Sequence, residues 1–357
     1  MSLTGLPLFA LLVALAILIP LALALTWSSR PHGVLGRALR FIAMVIAQVT
    51  AVAAVGVWAN NTFGFYDSWA DLLGGSQAGA LHAEANGPLP VSGINGRVIA
   101  LTVNGKASRA SGIVLVWLPP QYGEPAFKTT RFPVLLMLPG QPSTPEGVFS
   151  QFQFGQQATR AIRSHAVKPF VAVFPPIMIA PPRDTECTNV PHGPQAETWL
   201  ASDVRNAVLR HVRVTQDGKQ WSVAGWSTGG FCAAKLLLRH RTDFNAAASI
   251  GGYFDAETDP STGNLFDGST QLRQQNAPIW LIRQPGNLDA NLLIVVSKVD
   301  RSSYNGVHYA DSKQMIAQTR GYPNVATILL PSGGHNYTVY RATLPAVLAW
   351  CARTAGL

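Results

Sequence analysis

Gly225-Trp226-Ser227-Thr228-Gly229 is a Gly-x-Ser-x-Gly pentad, and its surroundings decide what it can do. Before it, Trp221-Ser222-Val223-Ala224 reads as a short apolar strand. After it, residues 231–240 carry Ala233, Ala234, Leu236, Leu237 and Leu238, which suit a helix. Strand, tight turn and helix together make a nucleophile elbow. A serine hydroxyl is a poor nucleophile unless it is held exposed, beside a base and beside donors for an oxyanion. A sharp turn meets those needs. Gly225 and Gly229 keep side chains out of the crowded space around Ser227. The helix that follows aims its free N–H groups toward the reacting oxygen.

An elbow serine needs an acid and a histidine, which follow it in the chain as acid, then His, each in a loop after a strand. Residues 292–297 form an apolar run, and Asp300 comes three positions after its end. Asp300 is therefore the expected acid, whose role is to orient the histidine and stabilise its imidazolium. Asp289, Asp255 and Glu257 are the rivals. Pro331-Ser332-Gly333-Gly334-His335 follows the last apolar run, and the two glycines let the loop bend His335 over Ser227. His335 is the expected general base. His308 and His192 are weaker, because neither follows a strand directly. The oxyanion hole calls for two N–H donors. Thr228, next to the nucleophile, supplies one. The loop Leu138-Pro139-Gly140-Gln141-Pro142 is expected to supply the other; its prolines have no N–H, Gly140 and Gln141 do, and Gln141 is the favoured donor, with Gly140 shaping the loop.

The elements that must position these residues alternate in type. Residues 96–103 and 112–118 read as an antiparallel hairpin. Residues 132–138 and 169–174 are continuous apolar runs, as in strands buried on both faces. The elbow strand is followed by further strands at 245–250, 292–297 and 325–330. Helices fit 148–164, 197–212, 312–320 and 338–355. An antiparallel start followed by repeated βα units predicts α/β architecture, a mixed and mostly parallel sheet covered by helices, in the order of an α/β-hydrolase fold.

The N-terminal part has a different character. The chain of 357 residues is 48% hydrophobic but only 13% charged, against about 25% in soluble domains. Residues 6–27 and 41–58 are apolar and near the roughly 20 residues that cross a bilayer. The start of the chain has no basic residue, which argues against a signal peptide. Arg30, Arg37 and Arg40 cluster between or beside the two stretches, and no acidic residue precedes Asp67. The positive-inside rule puts that loop in the cytoplasm and everything after Trp58 outside. The expected domains are a two-helix membrane anchor over 1–59, a juxtamembrane segment and Ala/Gly/Pro-rich linker over 60–92, and a catalytic domain over 93–357. The formal net charge is +9, and without the three N-terminal arginines 24 Lys and Arg face 18 Asp and Glu. A mildly basic exported domain is drawn to anionic headgroups. No basic run is interleaved with aromatics, so nucleic acid is not the expected partner. Of the cysteines Cys187, Cys232 and Cys351, no two have metal-ligand spacing. In an exported domain one disulfide plus one thiol fits, with Cys187–Cys232 the preferred pair; three thiols are the alternative.

Leu138-Pro139-Gly140-Gln141, Gly225-Trp226-Ser227-Thr228-Gly229-Gly230, Ala246 through Phe254 and Gly334-His335 together resemble the esterase-D-like branch of the α/β-hydrolases, and within it the antigen 85 type of secreted mycolyltransferase. The resemblance covers residues 98–357. It implies an acyl-serine mechanism with Ser227 and His335, an acid at Asp300 where the mycolyltransferases use glutamate, and oxyanion donors at Gln141 and Thr228. Those enzymes are secreted, and their cysteines lie elsewhere. The expected activity is an extracytoplasmic serine esterase or acyltransferase at a bacterial cytoplasmic membrane, acting on a lipid or envelope-glycan ester, with no cofactor and no metal. The alternatives are a non-catalytic membrane-anchored binding or assembly protein, or a thioesterase or peptidase on the same fold. The oligomeric state is left open.

Overall fold

The computed structural model describes residues 3, 6–27, 33–63, 69, 94–300 and 308–357. The basic loop at 28–32, the juxtamembrane stretches at 64–68 and 70–93 with the expected linker, and residues 301–307 lie outside the described residues. The chain divides into two compact units, Met1–Gly79 and Ala80–Leu357.

In the first unit, helix α1 (Leu6–Leu25) packs against α2 (Val34–Phe63). By length and composition both can cross a membrane. The second helix is longer than its apolar stretch at both ends. Its first turns hold Arg37 and Arg40, and the Arg40 guanidinium lies 4.5 Å from the Trp27 ring centroid and donates to the Trp27 carbonyl. A cation over an aromatic face holds the charge at the end of α1. Thr50 spends its hydroxyl on the Ile46 and Ala47 carbonyls of its own helix, so it presents no unpaired donor.

The second unit is built on one eight-stranded sheet in the order β1-β2-β4-β3-β5-β6-β7-β8. Here β1 (Arg97–Asn104) and β2 (Ser111–Leu118) form the antiparallel hairpin, and β2 pairs antiparallel with β4 (Val171–Phe174). From β4 onward the sheet is parallel: β3 (Val134–Leu138), β5 (Trp221–Trp226), β6 (Ala246–Ile250), β7 (Asn291–Ser297) and β8 (Val325–Leu330). The five residues of β3 and the six of β5 are all buried, which is why, Ser222 apart, they do not alternate with polar residues. One core lies on the face covered by the elbow helix, around Trp199, Trp221 and Phe231. The other lies on the face of the C-terminal helix, around Trp117, Phe154 and Leu348.

The helices differ in detail from the sequence pattern. The expected helix over 148–164 is two: α3 (Pro145–Gln151), capped by the Thr144 hydroxyl with Pro145 in its first turn, and α4 (Phe154–Arg163). Gln153 breaks them apart with φ 47°. The helix expected over 197–212 begins with the turn Ala196–Thr198 and a π-helical stretch, Trp199–Val204, before α5 (Arg205–His211). After the elbow helix α6 (Thr228–Arg239) and β6 come α7 (Thr270–Asn276) and α8 (Pro278–Leu281), too short to show a period in sequence. Helix α9 (His308–Gln318) precedes β8, and the expected last helix is split into α10 (Tyr337–Arg341) and α11 (Leu344–Ala355).

Candidate active site

Parallel strands end at one edge of the sheet, so the loops after β3, β5, β7 and β8 share that edge. The site residues lie in those four loops. At β5 the register sets Gly225 opposite Leu138 of β3 and Ser249 of β6. Ser227 lies between the strand and α6 at φ 56° and ψ −122°, which costs a non-glycine residue about 1–3 kcal/mol. Backbone bonds hold it there: its N–H donates to the Ile250 carbonyl at 2.9 Å, and its carbonyl accepts from the Gly230 N–H at 2.8 Å. The two glycines have a steric reason. A Cβ on Gly225 would lie 2.0 Å from the Gly229 carbonyl oxygen, and one on Gly229 would lie 2.4 Å from both the Leu138 and Pro139 oxygens. The strand-to-helix reversal is tight enough that neither position has room for a methyl group.

The structure brings Ser227, His335 and Asp300 together. The Ser227 hydroxyl is 2.9 Å from His335 Nε2, and His335 Nδ1 is 2.8 Å from Asp300 Oδ2. As a carboxylate Asp300 only accepts, so it holds the imidazole proton on Nδ1 and leaves Nε2 to receive the serine proton. Asp300 is fully buried. Its backbone N–H donates to the Ser297 carbonyl and its own carbonyl accepts from Tyr309. Gly333 bends the loop before His335 at φ 98°, its carbonyl accepts from the Ser297 hydroxyl, and the Asn336 side chain caps α10 immediately after the histidine.

Of the rival acids, Asp289 pairs with Arg241 and Asp255 with Arg273, while the Glu257 carboxyl is raised to about 7 by burial and by the neighbouring charges of Asp259, Asp311, Asp184 and Asp255. His192 is exposed at φ 55°, and the side chain of His308 lies outside the described residues.

The two expected oxyanion donors flank the serine. Thr228 opens α6, and Gln141 follows Gly140, where a Cβ would come within 2.8 Å of Ser227 Cβ. Among the described residues neither N–H donates to a protein acceptor, so both are available to a substrate oxygen. Ser143 closes the loop with its N–H on the Gly140 carbonyl, and the Tyr337 hydroxyl donates to the Ser143 hydroxyl. Among the described residues no group of three or more His, Cys, Asp or Glu side chains has the arrangement to hold a metal ion.

Two features of this region, the contacts of Tyr340 and of Trp226, do not show in the sequence. The Tyr340 hydroxyl donates to Asp300 Oδ2 at 2.6 Å and accepts from the Ser297 N–H at 3.0 Å, so it bridges β7 and the acid. Burial and the neighbouring Asp300 charge push its phenol far above the usual range, which keeps it a donor. The Trp226 indole stacks on His335. Cys187, in the loop after β4, and Cys232 of α6 form a disulfide, and Cys351 is a buried thiol. The same loop carries Asp184, 3.5 Å from the Thr228 hydroxyl, and Glu186, which accepts from the Tyr253 hydroxyl at 2.8 Å. Burial raises both carboxyls. Burial also lowers the Lys235 ammonium, to about 8, although it donates to the Glu186 carbonyl and to Thr188. Disulfide and buried polar contacts together fix the loop against the elbow helix.

A family model described as putative esterase matches residues 111–351. An uncharacterized protein of Corynebacterium glutamicum is 23% identical over 260 residues, covering 68% of this chain and 57% of that protein, so the chain spans little more than half of this curated relative's length. Among solved structures, a ferulic acid esterase superposes with TM-score 0.62 at 18% identity, over 73% of this chain and 98% of its own. An S-formylglutathione hydrolase from Agrobacterium tumefaciens superposes with TM-score 0.61 at 15% identity, over 74% and 98%. A fluorophosphonate-binding serine hydrolase of Staphylococcus aureus does so with TM-score 0.57 at 16% identity, over 72% and 98%. At these identities the likeness is one of fold, that of an α/β-hydrolase.

Proposed function

The chain belongs to the esterase family whose model spans residues 111–351, and from that membership we propose that it is a membrane-anchored serine esterase or acyltransferase working through an acyl-Ser227 intermediate. The observation that carries the mechanism is the hydrogen-bonded series from Ser227 Oγ through His335 to Asp300. His335 Nε2 takes the hydroxyl proton as Ser227 Oγ bonds to the ester carbonyl carbon. The carbonyl oxygen becomes an oxyanion held by the N–H groups of Thr228 and Gln141. Each such donor contributes about 3 kcal/mol to the transition state. The tetrahedral intermediate collapses, the ester C–O bond breaks, and His335 returns the proton to the departing alcohol. Water or a second alcohol then attacks the acyl-enzyme by the same route, giving hydrolysis or transfer.

The anchor reading places residues 1–59 in the membrane, joined by 60–92 to the catalytic domain at 93–357. It is supported by two helices of spanning length and composition, and by Arg37 and Arg40 at the start of the second. An extracytoplasmic catalytic domain is supported by the Cys187–Cys232 disulfide, since such bonds persist in oxidising compartments. A site tethered beside a bilayer favours an ester carried on a lipid or on an envelope glycan.

A fluorophosphonate probe tests the chemistry. Covalent labelling of the full-length protein that disappears in Ser227→Ala is the expected result; a folded wild type that does not label refutes the mechanism. A membrane-impermeant version applied to intact cells tests the side of the membrane. Incubation with total envelope lipids, read by mass spectrometry against Ser227→Ala, separates a free acid as product from a new ester.

A further inference from the structure

The ring planes of Trp226 and His335 are 24° from parallel, with centroids 4.3 Å apart. We propose that Trp226 is a positioning residue that stabilises the protonated form of His335 through the face of its indole. The inference rests on the reading of His335 as the base for Ser227.

The indole is held as a fixed shelf. Trp226 is the last residue of β5, in register with Ile250 of β6, and only 5% of it is exposed. Two glycines make its berth. A Cβ on Gly140 would come within 3.0 Å of Trp226 Cδ1, and one on Gly251 within 2.8 Å of Cζ3. The rings of Tyr337 and Tyr340 close in at 5.0 and 4.9 Å. An indole enclosed in this way has no second rotamer to adopt.

His335 gains two things from that shelf. Its hydrogen bonds to Asp300 and Ser227 act at two points on the ring edge, which leaves the ring free to tilt about the line joining them. Stacking against a fixed plane removes that tilt. The second gain is electronic. An aromatic face is the negative region of the ring, so it attracts a cation more than a neutral group. His335 becomes a cation only when it has taken the serine proton. The attraction is therefore stronger in the transition state than in the resting enzyme, which is the condition for accelerating the step. Ser227 from the elbow, Asp300 from the turn after β7 and Tyr340 from α10 are titratable groups that face His335, and Trp226 adds an attractive face beside them.

The test uses full-length protein in detergent and p-nitrophenyl butyrate as substrate. Trp226→Leu keeps bulk and removes the π face. It is expected to lower kcat about 3- to 30-fold with KM within about twofold, and to move the acid limb of kcat/KM to lower pH by about half a unit. Trp226→Phe, which retains a face, is expected to recover most of both. Should the leucine variant fold poorly, tetrafluorotryptophan introduced at position 226 alone keeps the shape and depletes the face, and is expected to reproduce the fall in kcat and the shift of the acid limb. An unchanged kcat and acid limb in a folded leucine or fluorinated variant overturns the proposal, as does a phenylalanine variant no better than leucine. Fluorophosphonate labelling of the wild type is run alongside. Its absence would strike the underlying mechanism, whereas normal labelling with unaffected Trp226 variants would strike the stack alone.

Discussion

Replacing Tyr340 with phenylalanine deletes one oxygen and leaves the ring packing of the C-terminal helices in place. That oxygen makes two buried contacts, donating to Asp300 at 2.6 Å and accepting from the Ser297 N–H at 3.0 Å. A hydrogen bond to a charged group contributes about 1.5–3 kcal/mol, and a buried N–H left without an acceptor costs about 1–3 kcal/mol. Relaxation at a site of this kind recovers part of the sum, so Tyr340→Phe is expected to destabilise by about 2–4 kcal/mol. For a unit of this size each kcal/mol moves Tm by roughly 2–4 °C, and the expected fall is roughly 5–12 °C. Asp300 would also lose one of the contacts that set its angle to His335, so fluorophosphonate labelling of Ser227 should slow about 10-fold at a temperature where the variant is folded. The assays are differential scanning fluorimetry of the full chain in detergent and the time course of labelling. A variant with Tm within 1 °C of wild type and an unaltered labelling rate would refute the bridging role, because the phenol oxygen would then be replaceable at no cost.

Gly225→Ala is expected to abolish folding or to cost more than about 3 kcal/mol, since its Cβ would meet backbone of Gly229 that no rotamer change can move, whereas Gly286→Ala, in open space, should leave Tm unchanged. Glu197 is the acid-stability group. Burial pushes its carboxyl up, but His240, Lys235 and Arg239 outweigh that and bring it down to about 2 from 4.5. Its contribution is present above about pH 4.5 and is lost as pH falls toward 2, up to about 3 kcal/mol, so Glu197→Gln should flatten the decline of Tm measured from pH 5 to pH 3; parallel declines in both proteins would count against it. The Cys187–Cys232 bond closes a 45-residue separation. The chain-entropy relation for a loop of that length gives about 4 kcal/mol, so the double alanine variant should melt roughly 10 °C lower without reductant, and dithiothreitol should lower Tm in the wild type alone.

The strands were legible because burial on both faces favours apolar runs, unbroken in β3, interrupted only by Ser222 in β5, and flanked by Asn291 and Ser297 in β7. The helices were less so. Gln153 interrupts the first pair with a left-handed backbone, and the π-helical turn at Trp199–Val204 changes the period from within. Neither leaves a mark in hydrophobic spacing. Ser227 and its glycines stood out because their geometry is local: a turn that tight tolerates few residue types. Asp300 and His335 were reached by chain order, as loops after particular strands, and Asp289, Asp255 and Glu257 could not be set aside on that basis.

What the amino-acid order determined by itself was therefore the local part: the elbow, the apolar strands, the two helices long enough to span a bilayer, and the succession of serine, acid and histidine. Tertiary structure alone decided which carboxylate faces the imidazole, that Tyr340 bridges Asp300 to β7, and that Trp226 lies flat against His335. The physical reason is range. A turn or a strand is dictated by sterics and burial over a few residues, whereas Asp300 is 35 positions from His335 and Ser227 is 108 from it, and such pairs meet only when parallel strands bring their ends to one edge of the sheet.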